Sequence, residues 1–154
     1  MSLQQWLQNG WIRRETVTLA EIQQLLEVVD RDLADARAKG LSADGQFQHS
    51  YGGALQLCII PLRASGYRVA KGEGHHKRGI ESLKFTLGAK WQETSDYLER
   101  CSRLRGQALY DRVGAISRRE ADELSRTAQQ LRLDVVNWLN DTYPALVPTA
   151  YKRK

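Results

Sequence analysis

Apolar residues return every three or four positions along most of this chain, and that spacing predicts helices. The clearest run is Ile22, Leu25, Leu26, Val29, Leu33 and Ala36, which opens after Thr18-Leu-Ala-Glu21 and closes at Lys39-Gly40. Thr18 followed three residues later by Glu21 is a capping-box pattern, in which hydroxyl and carboxylate each satisfy an orphan N–H of the first turn. Ser42, with Asp44 just behind it, predicts the start of a longer helix through Phe47, Tyr51, Leu55, Cys58, Ile59 and Leu62 that ends at Ala64-Ser-Gly66. Pro61 falls inside this pattern and removes a backbone donor, so a kink or a split is expected near residues 59–61. Gly52-Gly53 costs about 1 kcal/mol per residue relative to alanine, which predicts a tight helix crossing there.

His75-His76 opens the next helical pattern, which carries Ile80, Leu83 and Leu87 to Gly88, with Gly79 weakening its first turn. Trp91, Tyr97, Leu98, Cys101, Leu104 and Ala108 define another, ending near Gly114. Ser117-Arg-Arg-Glu120 repeats the capping box, and Ala121, Leu124, Ala128, Leu131, Val135 and Leu139 carry the last long helix to Tyr143-Pro144. The first residues form a short amphipathic stretch broken at Asn9-Gly10, with Trp6, Trp11 and Ile12 as anchors onto a bundle end. Nothing alternates with the period of a strand. The expected fold is all-α, an antiparallel four- to five-helix bundle, with a short helical arm over 1–17, the bundle over 18–143 and a basic tail over 144–154.

A chain of 154 residues has room for one domain with its own core, roughly 68–70% of the unfolded surface being buried at this size. Cys58 and Cys101 sit in apolar helical patterns, so they read as reduced core residues of a cytoplasmic protein. No apolar run approaches the roughly 20 residues of a membrane span, and the N-terminus has no secretory pattern. Lysine and arginine outnumber aspartate and glutamate by 23 to 18, for a net charge of +5. That surplus permits a polyanionic partner without requiring one. The last residues, Tyr151-Lys-Arg-Lys154, read as a loose end.

The candidate chemistry lies in Cys101-Ser-Arg-Leu-Arg-Gly-Gln-Ala-Leu-Tyr-Asp-Arg112. At about 100° per residue Arg103, Gln107 and Tyr110 share a helix side, with Gly106 beside them and Cys101, Leu104 and Ala108 turned to the core. A guanidinium pairs bidentately with phosphate oxygens, and a glycine admits another backbone, so this face suits a phosphate or a partner helix. It also suits an ordinary solvated surface. Arg105 points roughly 160° from Arg103 and joins only by snorkelling or across an interface. Walker loops, G-x-S-x-G, H-E-x-x-H and paired C-x-x-C motifs are absent, and no cofactor is expected. His75-His76 lacks an i+4 ligand partner, so no metal is expected either; the imidazoles fit as capping groups or phosphate-facing donors.

The order of these pieces resembles the HEPN superfamily of small bacterial and archaeal helical bundles. The resemblance rests on a helix ending in Ala64-Ser-Gly-Tyr-Arg68, then His75-His76 before a short helix. It continues in a penultimate helix with Arg-x-Arg-Gly-Gln-Ala-Leu-Tyr-Asp and a capped last helix beginning Ser-x-x-Glu-Ala, and it spans roughly residues 18–142. It implies a homodimer with the arginine motif near the interface. It further implies either a metal-independent ribonuclease or a non-catalytic partner of a nucleotidyltransferase in a toxin–antitoxin pair. Catalytic members carry an arginine, a polar residue and then a histidine. Here Tyr110 stands at the histidine position and Gly106 where the polar residue is usual. A tyrosine near pKa 10 is a poor base at neutral pH, whereas a histidine near about 6.5 is a good one.

The expected function is therefore a non-catalytic bundle that binds a protein partner and a nucleotide or RNA phosphate. Arg103, Arg105, Gln107, Tyr110, His75 and His76 would be its contacts. The alternative is a ribonuclease in which Arg103 or Arg105 steadies the developing charge, Tyr110 positions the 2′-OH, and His75 or His76 stands in as base. A second alternative is a helical interaction protein unrelated to nucleic acid.

Overall fold

The computed structural model describes residues 1–72, 74–110 and 115–154, the side chains of residues 108–110 excepted. Three long helices form the frame: α2 (Leu19–Asp35), α3 (Ala43–Ala64) and α7 (Arg118–Thr142). A fourth, α6 (Gln92–Tyr110), and three short ones, α1 (Leu3–Gln8), α4 (His75–Glu81) and α5 (Leu83–Thr86), complete an all-α bundle. α3 is central and packs on α2 and α7 along its length, with α4, α5 and α6 on its remaining side. Its position explains its sequence: Phe47, Tyr51, Ala54, Leu57, Cys58 and Ile60 point in several directions and all are buried. A helix surrounded by partners needs an apolar circumference rather than a stripe.

The expected starts of α3 and α7 are present, Ser42 accepting from the Gly45 N–H at 3.0 Å and Ser117 forming a reciprocal box with Glu120. The box at Thr18 is only half made. Thr18 accepts from the Glu21 N–H, but the Glu21 carboxylate turns away to a tertiary partner described below. Gly52 and Gly53 mark the predicted close crossing. A Cβ on Gly52 would lie 3.1 Å from an Asp32 carboxylate oxygen, and one on Gly53 would lie 3.0 Å from the Leu33 side chain. The neighbour that uses this approach is α2 of the same chain.

Four expectations need correction. A strand pair is present: Ile12–Arg14 (β1) pairs antiparallel with Tyr67–Val69 (β2), Ile12 opposite Val69 and Arg14 opposite Tyr67. Three residues each are too few for an alternating pattern to be read against a helical background. Pro61 does not split α3, which continues to Ala64; only three residues follow it, and the last turn is closed by Ser65, whose N–H and hydroxyl both donate to the Pro61 carbonyl. The helix expected from His75 to Gly88 is instead two helices meeting at Ser82. The buried Ser82 hydroxyl donates to the Gly79 carbonyl at 2.7 Å, a local bond that competes with helix propagation. The C-terminal residues are also not loose. Turns at Pro144–Leu146 and Thr149–Tyr151 lead back along α7, where Asn140 holds the Tyr151 carbonyl and the Arg153 N–H, and Arg153 reaches Asp141 at 2.8 Å.

The N-terminal residues pack as anchors, as expected. Trp6 and Ile12 are buried with Leu62, and Trp6 stands edge-on to Phe85 with ring centroids 5.2 Å apart. Cys58 and Cys101 are buried free thiols. Among the described residues no helix is long and apolar enough to cross a membrane.

Candidate phosphate-facing surface on α4 and α6

Arg103 and Arg105 of α6 point apart, as their helical spacing predicts. Arg105 lies four residues after buried Cys101, so it follows the core edge and packs over the Tyr51 ring of α3, 5.1 Å from its centroid. Tyr51 is itself buried, and burial pushes its phenol up against the opposing influence of Ser102 and Arg105, which face it from α6. The guanidinium therefore sits over an aromatic ring, a cation–π contact that uses none of its N–H donors. Arg103 instead is exposed and lines a shallow hollow with Lys77, Ile80, Glu99 and Ser102. Gln107 is exposed. The Tyr110 side chain lies outside the described residues, as do Asp111 and Arg112.

His75 and His76 begin α4, both exposed, with ring centroids 4.4 Å apart at 61°. They do not cap it: Gly74 is the N-cap residue, with φ 75°, and no side chain bonds the helix start. Partial burial, then the charges of His75 and Arg105, hold the His76 imidazole below its ordinary pKa. The fold therefore brings the histidine motif and the second arginine into one electrostatic neighbourhood, although 29 positions separate His76 from Arg105 in the numbering. Among the described residues, neither imidazole forms an ion pair, nor does Arg103 or Arg105, and no hydrogen bond is made by these side chains.

Beside this surface, Lys77 sits 3.9 Å from both Glu81 and Glu99. Burial and the neighbouring Glu99 carboxyl raise the Glu81 pKa, so this carboxyl pair between α4 and α6 favours retaining a proton.

A second polar cluster escaped the sequence reading altogether. Arg63, 1% exposed, directs its Nε and NH2 to the two oxygens of Glu21 at 2.6 and 3.1 Å. Its NH1 donates to the carbonyls of Glu15 and Tyr67. Arg68 bonds Glu15 at 2.8 Å and Glu21 at 3.2 Å, and Arg13 closes on Glu15. The one available signal was Arg63 standing within the otherwise apolar Ile60-Pro-Leu-Arg-Ala64 run, since a buried arginine must find acceptors.

Asp32, Asp35 and His49 lie close together where α2 meets α3, with ligand atoms within 4.8 Å of one another. Arg31 also approaches Asp32, at 3.8 Å, and Asp35 is exposed.

These features define a small helical bundle with a histidine–arginine surface on one side. Comparison with protein-family models, with characterised proteins and with solved structures finds no match for the chain.

Proposed function

We propose that this bundle binds phosphate groups of RNA or a nucleotide through His75, His76, Arg103 and Arg105, as a non-catalytic, HEPN-like module. The observation that carries the reading is the relation of His76 to Arg105: the arginine opposes a proton on the imidazole, and among the described residues no carboxylate pairs with either. A guanidinium with no carboxylate partner among the described residues can take an incoming anion as its counterpart, even with Glu99 close to Arg103. A phosphate oxygen would take an N–H of Arg105 and an imidazole N–H, with Arg103 extending the track. The HEPN resemblance adds the partners, a second copy of the chain and a nucleotidyltransferase of a toxin–antitoxin pair.

The test is anisotropy of a fluorescein-labelled single-stranded RNA titrated with the protein at several salt concentrations. Affinity should fall with salt, and Arg103→Ala/Arg105→Ala should lose most of it. Binding that ignores salt, or equal binding by the double variant, would overturn the reading.

The same observation favours one second reading, a metal-independent ribonuclease with His76 as base. An imidazole that is neutral at physiological pH can accept the ribose 2′-OH proton. The 2′-oxygen then attacks phosphorus while the P–O5′ bond breaks and the 5′-oxygen takes a proton from water, leaving a 2′,3′-cyclic phosphate and a 5′-hydroxyl, with Arg105 countering the charge on phosphorus. Incubation with total tRNA in EDTA separates the two readings. Cleavage by the wild type that is lost in His76→Ala supports the nuclease, and intact tRNA at high protein concentration leaves binding alone.

A further inference from the structure

A cleft of about 330 Å³ opens between α2, α3, β2 and α4, away from the α6 arginines. Leu25, Ile59 and Val69 supply apolar walls, and the Arg63–Glu21 pair with Arg68 supplies a charged floor. That volume is at the lower end of small-molecule sites, which combine apolar walls with a few convergent polar groups.

The charges of the floor select the ligand. Arg13, Arg63 and Arg68 are joined to Glu15 and Glu21 by ion pairs, three positive groups against two negative ones, an excess of one positive charge. Arg63 has no capacity to spare, because all three of its nitrogens already donate within the protein. Arg68 differs. Its Nε and NH2 are engaged, while its NH1 forms no hydrogen bond among the described residues, and the side chain is 38% exposed. Arg68 thus lines the cleft with donors to spare, in a network that carries one excess positive charge. One carboxylate would neutralise the excess, whereas a phosphomonoester dianion would overshoot it.

We propose that this cleft binds a small apolar carboxylic acid, its body against Leu25, Ile59 and Val69 and its carboxylate on Arg68. Gln56 and His75 complete the lining. This inference does not depend on phosphate binding at Arg105.

Octanoate and its uncharged isostere octanamide, titrated by calorimetry into the full chain, test it. Octanoate should bind saturably and at least about tenfold more tightly than octanamide, the difference expected for one charge-assisted contact of about 1.4 kcal/mol. Arg68→Gln should abolish that preference. Leu25→Phe on α2 and Gln56→Phe on α3, which both enlarge a lining side chain, should each abolish binding; two such variants guard against one failing to fold. Equal affinities for acid and amide, full binding by both filled variants, or no saturable binding of octanoate at about 10 mM would each overturn the proposal.

Discussion

Arg63 and Glu21 face each other as two parallel contacts, Nε to Oε2 at 2.6 Å and NH2 to Oε1 at 3.1 Å, where the first turn of α2 meets the last turn of α3. This pairing takes the carboxylate that a capping box would have used, and it gives a buried guanidinium the acceptor it requires. Removing one partner strands the other. Glu21→Gln should therefore lower unfolding free energy by about 3 kcal/mol, and Arg63→Met should cost less, because it removes the charge along with its bonds. Urea denaturation of both variants checks the order; a larger loss for Arg63→Met would mean that the carbonyl bonds, and not the charge, dominate.

Phosphate binding should move the titration of His76. In the free protein its pKa is below the ordinary 6.5 because burial, His75 and Arg105 all disfavour the cation. An anion bound between His76 and Arg105 screens that repulsion, so the pKa should rise with saturating nucleotide. The imidazole Cε1–H resonance followed by NMR against pH reads this directly, and an unmoved midpoint would argue against shared contact.

The Glu81–Glu99 pair makes the α4–α6 contact sensitive to pH. The folded-state pKa of Glu81 is raised by burial and then by Glu99, from an ordinary value of 4.5. Its favourable contribution is thus complete below the ordinary value and is lost as pH rises through the raised one. Glu81→Gln, which imitates the protonated form, should raise Tm near neutral pH and make little difference under acid conditions. Lys77 and Lys84 lower the Glu81 pKa and limit the size of the effect.

Asp30 should link acid stability to the C-terminal turns. Burial opposes its ionisation, yet hydrogen bonds from Arg132 at 2.6 Å and from the Tyr151 hydroxyl at 2.6 Å hold its pKa below the ordinary 3.8. That contribution is present above the ordinary aspartate value and disappears as pH falls through the depressed one. Tyr151→Phe should cost about 1 kcal/mol and speed amide exchange in residues 147–154 before any other segment.

The thiols should be inert in the native state. Burial pushes Cys58 up to about 12 and Cys101 up to about 11, leaving little thiolate at neutral pH. A disulfide-exchange reagent should react slowly with the folded protein and with two thiols per chain in denaturant.

Much of the helical frame was legible in the sequence, because capping residues and apolar period act within a few positions of one another. Thr18, Ser42 and Ser117 mark the starts of α2, α3 and α7, and Gly52-Gly53 marks a close crossing of α3 with α2. Local rules failed where a distant group competed. Glu21 left its cap for Arg63, 42 residues away, and β1 could form only beside β2, 57 residues later in the pairing of Ile12 with Val69. At the candidate site the residue types were visible in the sequence, including His75, His76, Arg103 and Arg105. Their company was not: spacing turned Arg105 away from Arg103, but only packing shows that it then lies on Tyr51 and acts on His76. Sequence alone determined which segments coil and which side chains carry charge, since backbone propensity and capping are local. Tertiary structure decided which charges meet, since burial of α3 on every side, and not spacing along the chain, sets what each buried polar group must face.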